Sequence, residues 1–320
     1  MNKIYPLPLI EFLPFAEVRE ERPVLLVTST PAWEAVQHLL HLPVVRRIGV
    51  SDASTAHWNG LLSTITAGQA EVIYAVGGGL TADAAKYMGI QLNLPVICLP
   101  TALSVDAFFT WASGIRCEGC VVYIETKPPE NLIIALEVIR AAPLSIRAAG
   151  ICDVLSIATG CWDWQFAHQQ NLNPPGMEFI PYVYEAAQAI LQGVLDCAEA
   201  AGAGDLAGLK QLLDCLCLEV QLCNQIGHAR PEEGSEHYFA YAVENYAGYG
   251  LPHGNLVGPG ILLAAQWQGQ DSSHLEKALR FCHIPLNQIP PAIIEQTARD
   301  LPAYCYKHNL PFSIAHTLKI

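Results

Sequence analysis

Basic residues are scarce in this chain. Lys and Arg number 17 against 30 Asp and Glu in 320 residues, a formal net charge of −13. That balance excludes general affinity for nucleic acid or an anionic membrane, and an anionic substrate would need a local basic pocket. Charge of either sign is low at 15%, whereas hydrophobic residues reach 52%, a globular rather than a disordered composition. The length is enough for one large or two ordinary domains with full cores. No apolar run approaches the roughly 18–20 residues of a membrane-spanning helix. The start, Met1-Asn2-Lys3-Ile4-Tyr5-Pro6, lacks the apolar core of a signal peptide. A disulfide framework is missing too. Eleven cysteines, an odd number, are scattered without regular spacing, which reads as reduced thiols in a cytoplasmic protein. Cys98 and Cys215 sit in apolar runs and read as small core residues. Cys117-Glu118-Gly119-Cys120 has metal-like spacing but no second Cys/His pair, so a hairpin turn is expected there. The GxGxxG dinucleotide fingerprint is absent as well.

What is present alternates. Buried-strand patterns at 24–28, 44–50, 71–76 and 95–99 are separated by helical patterns at 32–40, 61–68 and 81–92. Continuous apolar strands between amphipathic helices predict an α/β domain with a parallel sheet covered on both faces. A hairpin is expected around 115–124, and 131–136 is another short apolar run. After Pro143 the strand signals stop. Helical patterns follow at roughly 144–168, 177–201, 205–227, 233–247 and 254–269, broken at Asn173-Pro174-Pro175-Gly176 and Ala201-Gly202-Ala203-Gly204. Two domains are therefore expected, a nucleotide-binding α/β domain at 1–143 and an all-α domain at 144–320.

Gly77-Gly78-Gly79 lies directly after a strand and before a helix, with Asp83 inside that helix. Glycines let backbone approach a phosphate, and the helix start presents free N–H groups and the positive dipole end. A plain strand–helix turn would look the same. Thr101 and Ser104 follow the next strand, where small hydroxyls suit a phosphate or ribose. The first strand ends at Ser29, which neither holds an adenosine ribose as an acid would nor repels a 2′-phosphate, so NAD and NADP both stand. Asp52 could serve instead, or cap a helix.

Asp153, His237 and His253 are the candidate metal site. One carboxylate and two imidazoles leave coordination positions open for water or substrate. Asp153 falls in a largely apolar helical pattern, where an unpaired carboxylate is costly and a metal would explain it. A helix cap or salt bridge is the alternative. His168 and His228 have no motif behind them. Asp163 and Trp164 read as packing and surface residues.

Four segments together resemble the superfamily of iron-containing alcohol dehydrogenases, glycerol dehydrogenases and dehydroquinate synthases, nearest its glycerol-1-phosphate dehydrogenase branch. They are the GGG turn; Pro100-Thr101-Ala102-Leu103-Ser104-Val105-Asp106; Ala149 to Ser156 continuing to Asp163-Trp164; and Arg230-Pro231 through Gly234-Ser235-Glu236-His237, then His253-Gly254. The branch pattern runs close to PTxxSxDG, AGxxDxxSxxTAxxDW, RPxSGSEH and HGxxVG. The resemblance implies a Rossmann-like first domain, a helical second domain and a metal held by Asp153, His237 and His253. It also implies cofactor contacts from Gly77, Gly78, Gly79, Thr101 and Ser104, a substrate-facing Asp106, and a homo-oligomer. Arg230 matches the arginine of RPxSGSEH.

Departures concern the substrate wall. Val105 stands where much of the branch has His. Phe108, Phe109 and Trp111 replace small residues, and packing is expected for at least two of them. Tyr241 stands where many relatives have a second His one turn after His237. Tyr241 could hydrogen-bond, but is a poor proton shuttle near pH 7. Asn255 replaces a frequent Glu. Ile157 stands where some iron enzymes have a fourth ligand, favouring a three-ligand zinc-type site over iron.

The reading is a metal-dependent NAD or NADP dehydrogenase acting on a small polyol or polyol phosphate. Asp106 and Tyr241 would act at the substrate, and Asp83 and Ser29 join the cofactor set. The alternative is a dehydroquinate synthase-type cyclase using NAD transiently. It ranks second because few cations lie near the motifs. A third reading is a non-catalytic relative that kept the fold.

Overall fold

The computed structural model describes residues 4–66, 68–248 and 250–319. Two compact units emerge, 5–117 with 121–143, and 144–319 with Ile4 and 118–120.

The first unit is built on six parallel strands in the order β1-β8-β5-β4-β2-β3. They are β1 (Leu9–Phe12), β2 (Val24–Thr28), β3 (Val44–Gly49), β4 (Val72–Gly77), β5 (Val96–Pro100) and β8 (Asn131–Ile134). The central strands β2, β4 and β5 are buried at every position, as continuous apolar runs require. Each buried Val, Leu or Ile contributes about 1.5–3 kcal/mol. Helices α1 (Thr30–Val36), α2 (Thr55–Leu62), α3 (Gly79–Leu92) and α4 (Leu136–Ala141) connect or follow strands. Strands β6 (Ala112–Cys117) and β7 (Cys120–Glu125) form the separate hairpin, turning through Glu118 at φ 52° and Gly119 at φ 80°. That is the positive-φ pair a two-residue hairpin needs.

Register aligns the strand ends that carry the candidate residues. Thr28 pairs with Gly49 and Val76, and Gly77 pairs with Pro100. Ser29, Gly78 and Thr101 therefore leave the sheet along one carboxyl edge.

Three local expectations need correction. Helix α2 lies at 55–62, one to two turns earlier than the apolar spacing suggested. Ser54 caps it, accepting from the His57 N–H at 3.2 Å, so Asp52 is not the N-cap. Strand β1 escaped sequence reading because it has four residues, is mostly exposed and is set between prolines. Among the described residues only β8 pairs with it.

The second unit contains α5 (Leu144–Arg147), α6 (Ile151–Leu155), α7 (Ile157–Gln169), α8 (Pro181–Ala203), α9 (Leu206–Ile226), α10 (Ser235–Ala247), α11 (His253–Trp267), α12 (Ser273–Phe281) and α13 (Pro291–Lys307). The expected single helix over 144–168 is in fact three. At the α6–α7 junction the Ser156 hydroxyl donates back to the Cys152 carbonyl at 2.8 Å, a bond that competes with the helical ladder. Helices α12 and α13 lie beyond the last sequence pattern. Pro302 inside α13 is what hides the longer one. Among the described residues no helix is long and apolar enough to cross a membrane. Cys98 and Cys215 are buried, as expected.

Candidate metal and cofactor sites

Helices α6, α10 and α11 bring the three candidate ligands together across a hundred residues of sequence. One ligand atom from each of Asp153, His237 and His253 lies within 4.8 Å of the others. Asp153 Oδ1 is 2.7 Å from His253 Nε2, and the two imidazole centroids are 5.4 Å apart. Side-chain exposure is 5% for Asp153 and 6% for His237 but 27% for His253, so the group opens on the His253 side.

Backbone proximity makes this gathering possible. A Cβ on Gly254 would come 3.1 Å from Ala149 Cβ, and one on Gly260 would come 2.5 Å from the Glu236 carbonyl oxygen. Glycine at these two positions of α11 lets its axis approach both partner helices.

Glu236 is the residue sequence reasoning passed over. It is fully buried. Its carboxylate accepts from the Gly234 N–H at 2.6 Å and the Thr159 hydroxyl at 2.7 Å, and faces His237 Nδ1 at 3.0 Å. A carboxylate there keeps the proton on Nδ1 and leaves Nε2 as the coordinating atom. The available signal was its place beside His237 in the GSEH segment. We expect Glu236→Gln to weaken zinc binding by about 10–100-fold while the chain stays folded. Chelator competition measures this, and unchanged affinity would remove Glu236 from the site.

Charge collects around the triad. Burial pushes His237 down, but Glu236, assisted by Glu233 and Asp153, more than offsets this and lifts its pKa to about 9. The metal-free site therefore holds a proton at neutral pH. Zinc must displace it, so apparent affinity is expected to fall about tenfold per pH unit below pH 9 through this group. The same raised value stabilises the metal-free protein at low pH, and that stability is lost as pH rises from 6.5 through about 9. Calorimetry in buffers of different ionisation enthalpy should count about one proton released at pH 7; none released would contradict the assignment.

Asp163 is not a surface residue. It is wholly buried and ties α10 in place, accepting from the Ser235 N–H at 2.8 Å, the Ser235 hydroxyl at 2.6 Å and the Ile314 N–H at 2.8 Å. Burial, then Glu236, raise its pKa to about 6. Trp164 packs in the core, donating to the Met177 carbonyl. Arg230 is 2% exposed and donates to the Tyr238 hydroxyl and the Phe312 carbonyl, an internal brace. Tyr241 lies one turn past His237, ring centroids 6.1 Å apart, and its hydroxyl donates to Glu233 at 3.0 Å. Asn255 is buried and donates to Gln288. Ile157 is buried and apolar. His228 meets Trp164 edge-on and His168 stacks on Phe179.

In the α/β unit the glycine turn sits at the start of α3. Gly77 has φ 153°, and a Cβ there would come 2.7 Å from Thr81 Oγ1. A Cβ on Gly78 would touch Ser104 Oγ at 3.4 Å, and one on Gly79 would overlap Val105. Thr101 N–H donates to the Gly77 carbonyl at 3.1 Å. The glycines, Thr101, Ser104 and Val105 thus form one cluster. Among the described residues no side chain caps the first turn of α3, which suits a phosphate there. Ser29 is at the N-cap position of α1, on the same sheet edge. Asp83 is differently engaged. Its carboxylate lies 3.1 Å from Lys86 Nζ and accepts from the Gly114 N–H, holding the β6–β7 hairpin on α3. Lys86, also buried, donates to the carbonyls of Ala107 and Ala112 and to Thr110. Asp106 lies in the turn after β5, its carbonyl accepting from Phe109 N–H at 2.8 Å. Phe108 and Phe109 are buried and pack edge to face, while Trp111 stacks on Tyr5.

A glycine turn thus lies on the carboxyl edge of the parallel sheet, and the helical unit gathers one Asp and two His. Residues 14–143 match the model of the family described as iron-containing alcohol dehydrogenase. A glycerol-1-phosphate dehydrogenase [NAD(P)+] of Aeropyrum pernix is 30% identical over 249 residues, 77% of this chain and 67% of its own length. The enzyme of the same name from Sulfolobus acidocaldarius is 30% identical over 217 residues, 68% of this chain and 60% of its own. The fold is shared with a glycerol dehydrogenase of Schizosaccharomyces pombe, TM-score 0.67 at 18% identity over 99% of this chain and 87% of that one. It is also shared with a sulfoacetaldehyde reductase of Bifidobacterium kashiwanohense solved with NAD+, TM-score 0.67 at 16% identity, covering 92% and 91%. The chain belongs to the iron-containing alcohol dehydrogenase family.

Proposed function

We propose that this protein is a metal-dependent, NAD(P)-linked dehydrogenase that interconverts a small polyol, or a polyol phosphate, and its ketone. The observation that carries the reading is the Asp153–His237–His253 group, one carboxylate and two imidazoles with ligand atoms within 4.8 Å of one another. The names of the Aeropyrum and Sulfolobus relatives support the reaction class.

The donor set fits a divalent ion, and Glu236 supplies the outer carboxylate that metal-binding imidazoles recruit. Such an ion, when bound, polarises the C–O group of the substrate as a Lewis acid. Zinc is favoured over iron because buried Ile157 offers no fourth ligand. Glu236 holds the Nδ1 proton of His237 and so fixes which nitrogen faces inward. Tyr241, braced by Glu233, presents a hydroxyl beside His237 for orienting a substrate oxygen. Asp106 is assigned to a neighbouring substrate hydroxyl. Gly77–Gly79 and α3 would receive the cofactor pyrophosphate, with Thr101, Ser104 and Ser29 as hydrogen-bonding neighbours. Asp83 acts one step removed, by fixing α3 against the hairpin. A homo-oligomer belongs to the same proposal.

The test follows NADH and NADPH absorbance with zinc-loaded protein and a panel of small carbonyls led by dihydroxyacetone phosphate. Cofactor oxidation, lost on chelation and restored by zinc, is the expected result. Bound cofactor with no net oxidation of any carbonyl would sink the reading and favour transient NAD use by a cyclase.

A further inference from the structure

Residues 101–111 join β5 to β6 and carry Asp106. They are turn and irregular backbone, so their carbonyls need partners from elsewhere. One side chain of α3 supplies several. Lys86 is fully buried, and its Nζ donates to the Ala107 carbonyl at 2.9 Å, to the Thr110 carbonyl at 3.4 Å and to the Ala112 carbonyl. It also donates to Thr110 Oγ1 at 3.0 Å and lies 3.1 Å from Asp83 Oδ1. An ammonium has three N–H donors and no acceptor, so these oxygens share every donor it has. Burying such a charge is costly unless it is paired and hydrogen-bonded, and here it is both.

Helical spacing puts this cage and the cofactor turn on one face. Gly79, Asp83 and Lys86 stand at i, i+4 and i+7 of α3, two turns of one stripe. A Cβ on Gly79 would overlap Val105 and come 3.5 Å from Ala107 Cβ. The Ser113 hydroxyl donates to the Asp83 carbonyl at 3.1 Å. The loop is therefore fastened to α3 twice, by Val105 against Gly79 and by the Ala107 carbonyl at Lys86. Asp106 is the single residue between the two fastenings. Its own carbonyl accepts from the Phe109 N–H at 2.8 Å, so the turn that shapes it closes within the span Lys86 holds.

Resting on the dehydrogenase reading above, we propose that Lys86 is a positioning residue for Asp106. By binding the loop carbonyls to α3, it fixes where the Asp106 carboxylate stands relative to the glycine turn that receives the cofactor. Lys86 itself is buried away from any ligand and acts through Asp106.

The test compares Lys86→Met, Asp106→Ala and the double variant on the full zinc-loaded chain. Methionine keeps the volume of Lys86 and removes its donors. The first readout is kcat/KM for dihydroxyacetone and its phosphate, with NADH and NADPH, beside the Kd of each cofactor. Each single variant is expected to lose on the order of 100-fold in kcat/KM while cofactor Kd stays within about 3-fold. The double variant should fall no more than about 3-fold below Asp106→Ala, whereas independent losses would multiply to about 10⁴-fold. The second readout is amide hydrogen exchange. Residues 104–112 should exchange at least about 10-fold faster in Lys86→Met, with β2 and β4 of the same unit unchanged. If Lys86→Met misfolds, Thr110→Val replaces it. That variant keeps both charges, removes one acceptor, and should show the same local exchange with a loss of about 5–10-fold. Multiplying losses, or full activity in Asp106→Ala, overturn the proposal. So does exchange that is unchanged, or that rises equally through the unit, which is the mark of a merely structural lysine. An unmutated chain that oxidises neither cofactor with either carbonyl counts against the dehydrogenase reading, and the exchange result then decides the role of Lys86 by itself.

Discussion

His253→Ala is expected to lower zinc affinity and dehydrogenase activity together, by on the order of 10³-fold or more. The residue opens α11 at its first position and is the most exposed of the three ligands, so its loss leaves no core cavity. Asp153 loses a partner at 2.7 Å, which costs about 1–3 kcal/mol. A domain with a stability of about 5–15 kcal/mol survives that. The variant should therefore unfold cooperatively at a modestly lower denaturant midpoint while holding little metal after dialysis. Metal analysis, a denaturation curve and the cofactor assay on one preparation check all three statements. Full activity in the folded variant would end the metal assignment.

Gly260→Ala is expected to damage the same site without touching a ligand. Its Cβ would sit 2.5 Å from the Glu236 carbonyl oxygen, and the obstacle is helix backbone rather than a flexible side chain. Helices α10 and α11 must move apart, an overpacking cost of about 1–3 kcal/mol or more. That movement separates His237 and Glu236 on α10 from His253 on α11, so zinc affinity should fall at least about 10-fold as well. Gly60→Ala is the control. Gly60 lies inside α2 with nothing within 4 Å of a new Cβ, and alanine there should be neutral or stabilising by up to about 1 kcal/mol. Equal stability and equal zinc affinity for Gly260→Ala and the unmutated chain would refute the close-approach argument.

Local pattern reached a long way in this chain. Runs such as Val24–Thr28 and Val72–Gly77 are apolar at nearly every position because both faces of a parallel sheet are covered, and that property is visible one residue at a time. The glycine turn is legible for the same reason, since its demand on backbone is local. Asp153, His237 and His253 stood out by residue type and by the resemblance of their surrounding segments. Weak local signals misled in proportion to their shortness, as in four-residue β1 and displaced α2.

The rest was decided by contacts between residues far apart in the chain. The ionic and hydrogen-bonding roles of Glu236, Asp163 and Arg230 depend on partners distant in the chain: Thr159 for Glu236, Ile314 for Asp163 and Phe312 for Arg230. An acidic or basic letter in the sequence reads as surface by default, because burying charge is costly. Only the packing of α7, α10 and the chain end shows that the cost of Asp163 is met by three donors. Sequence alone determined the central strands of the sheet, the longer helices up to α11 and which residue types are available to bind a metal. Tertiary structure decided which of the many buried carboxylates hold the protein together and which stand beside the triad, because charge in a protein interior is governed by distance in space.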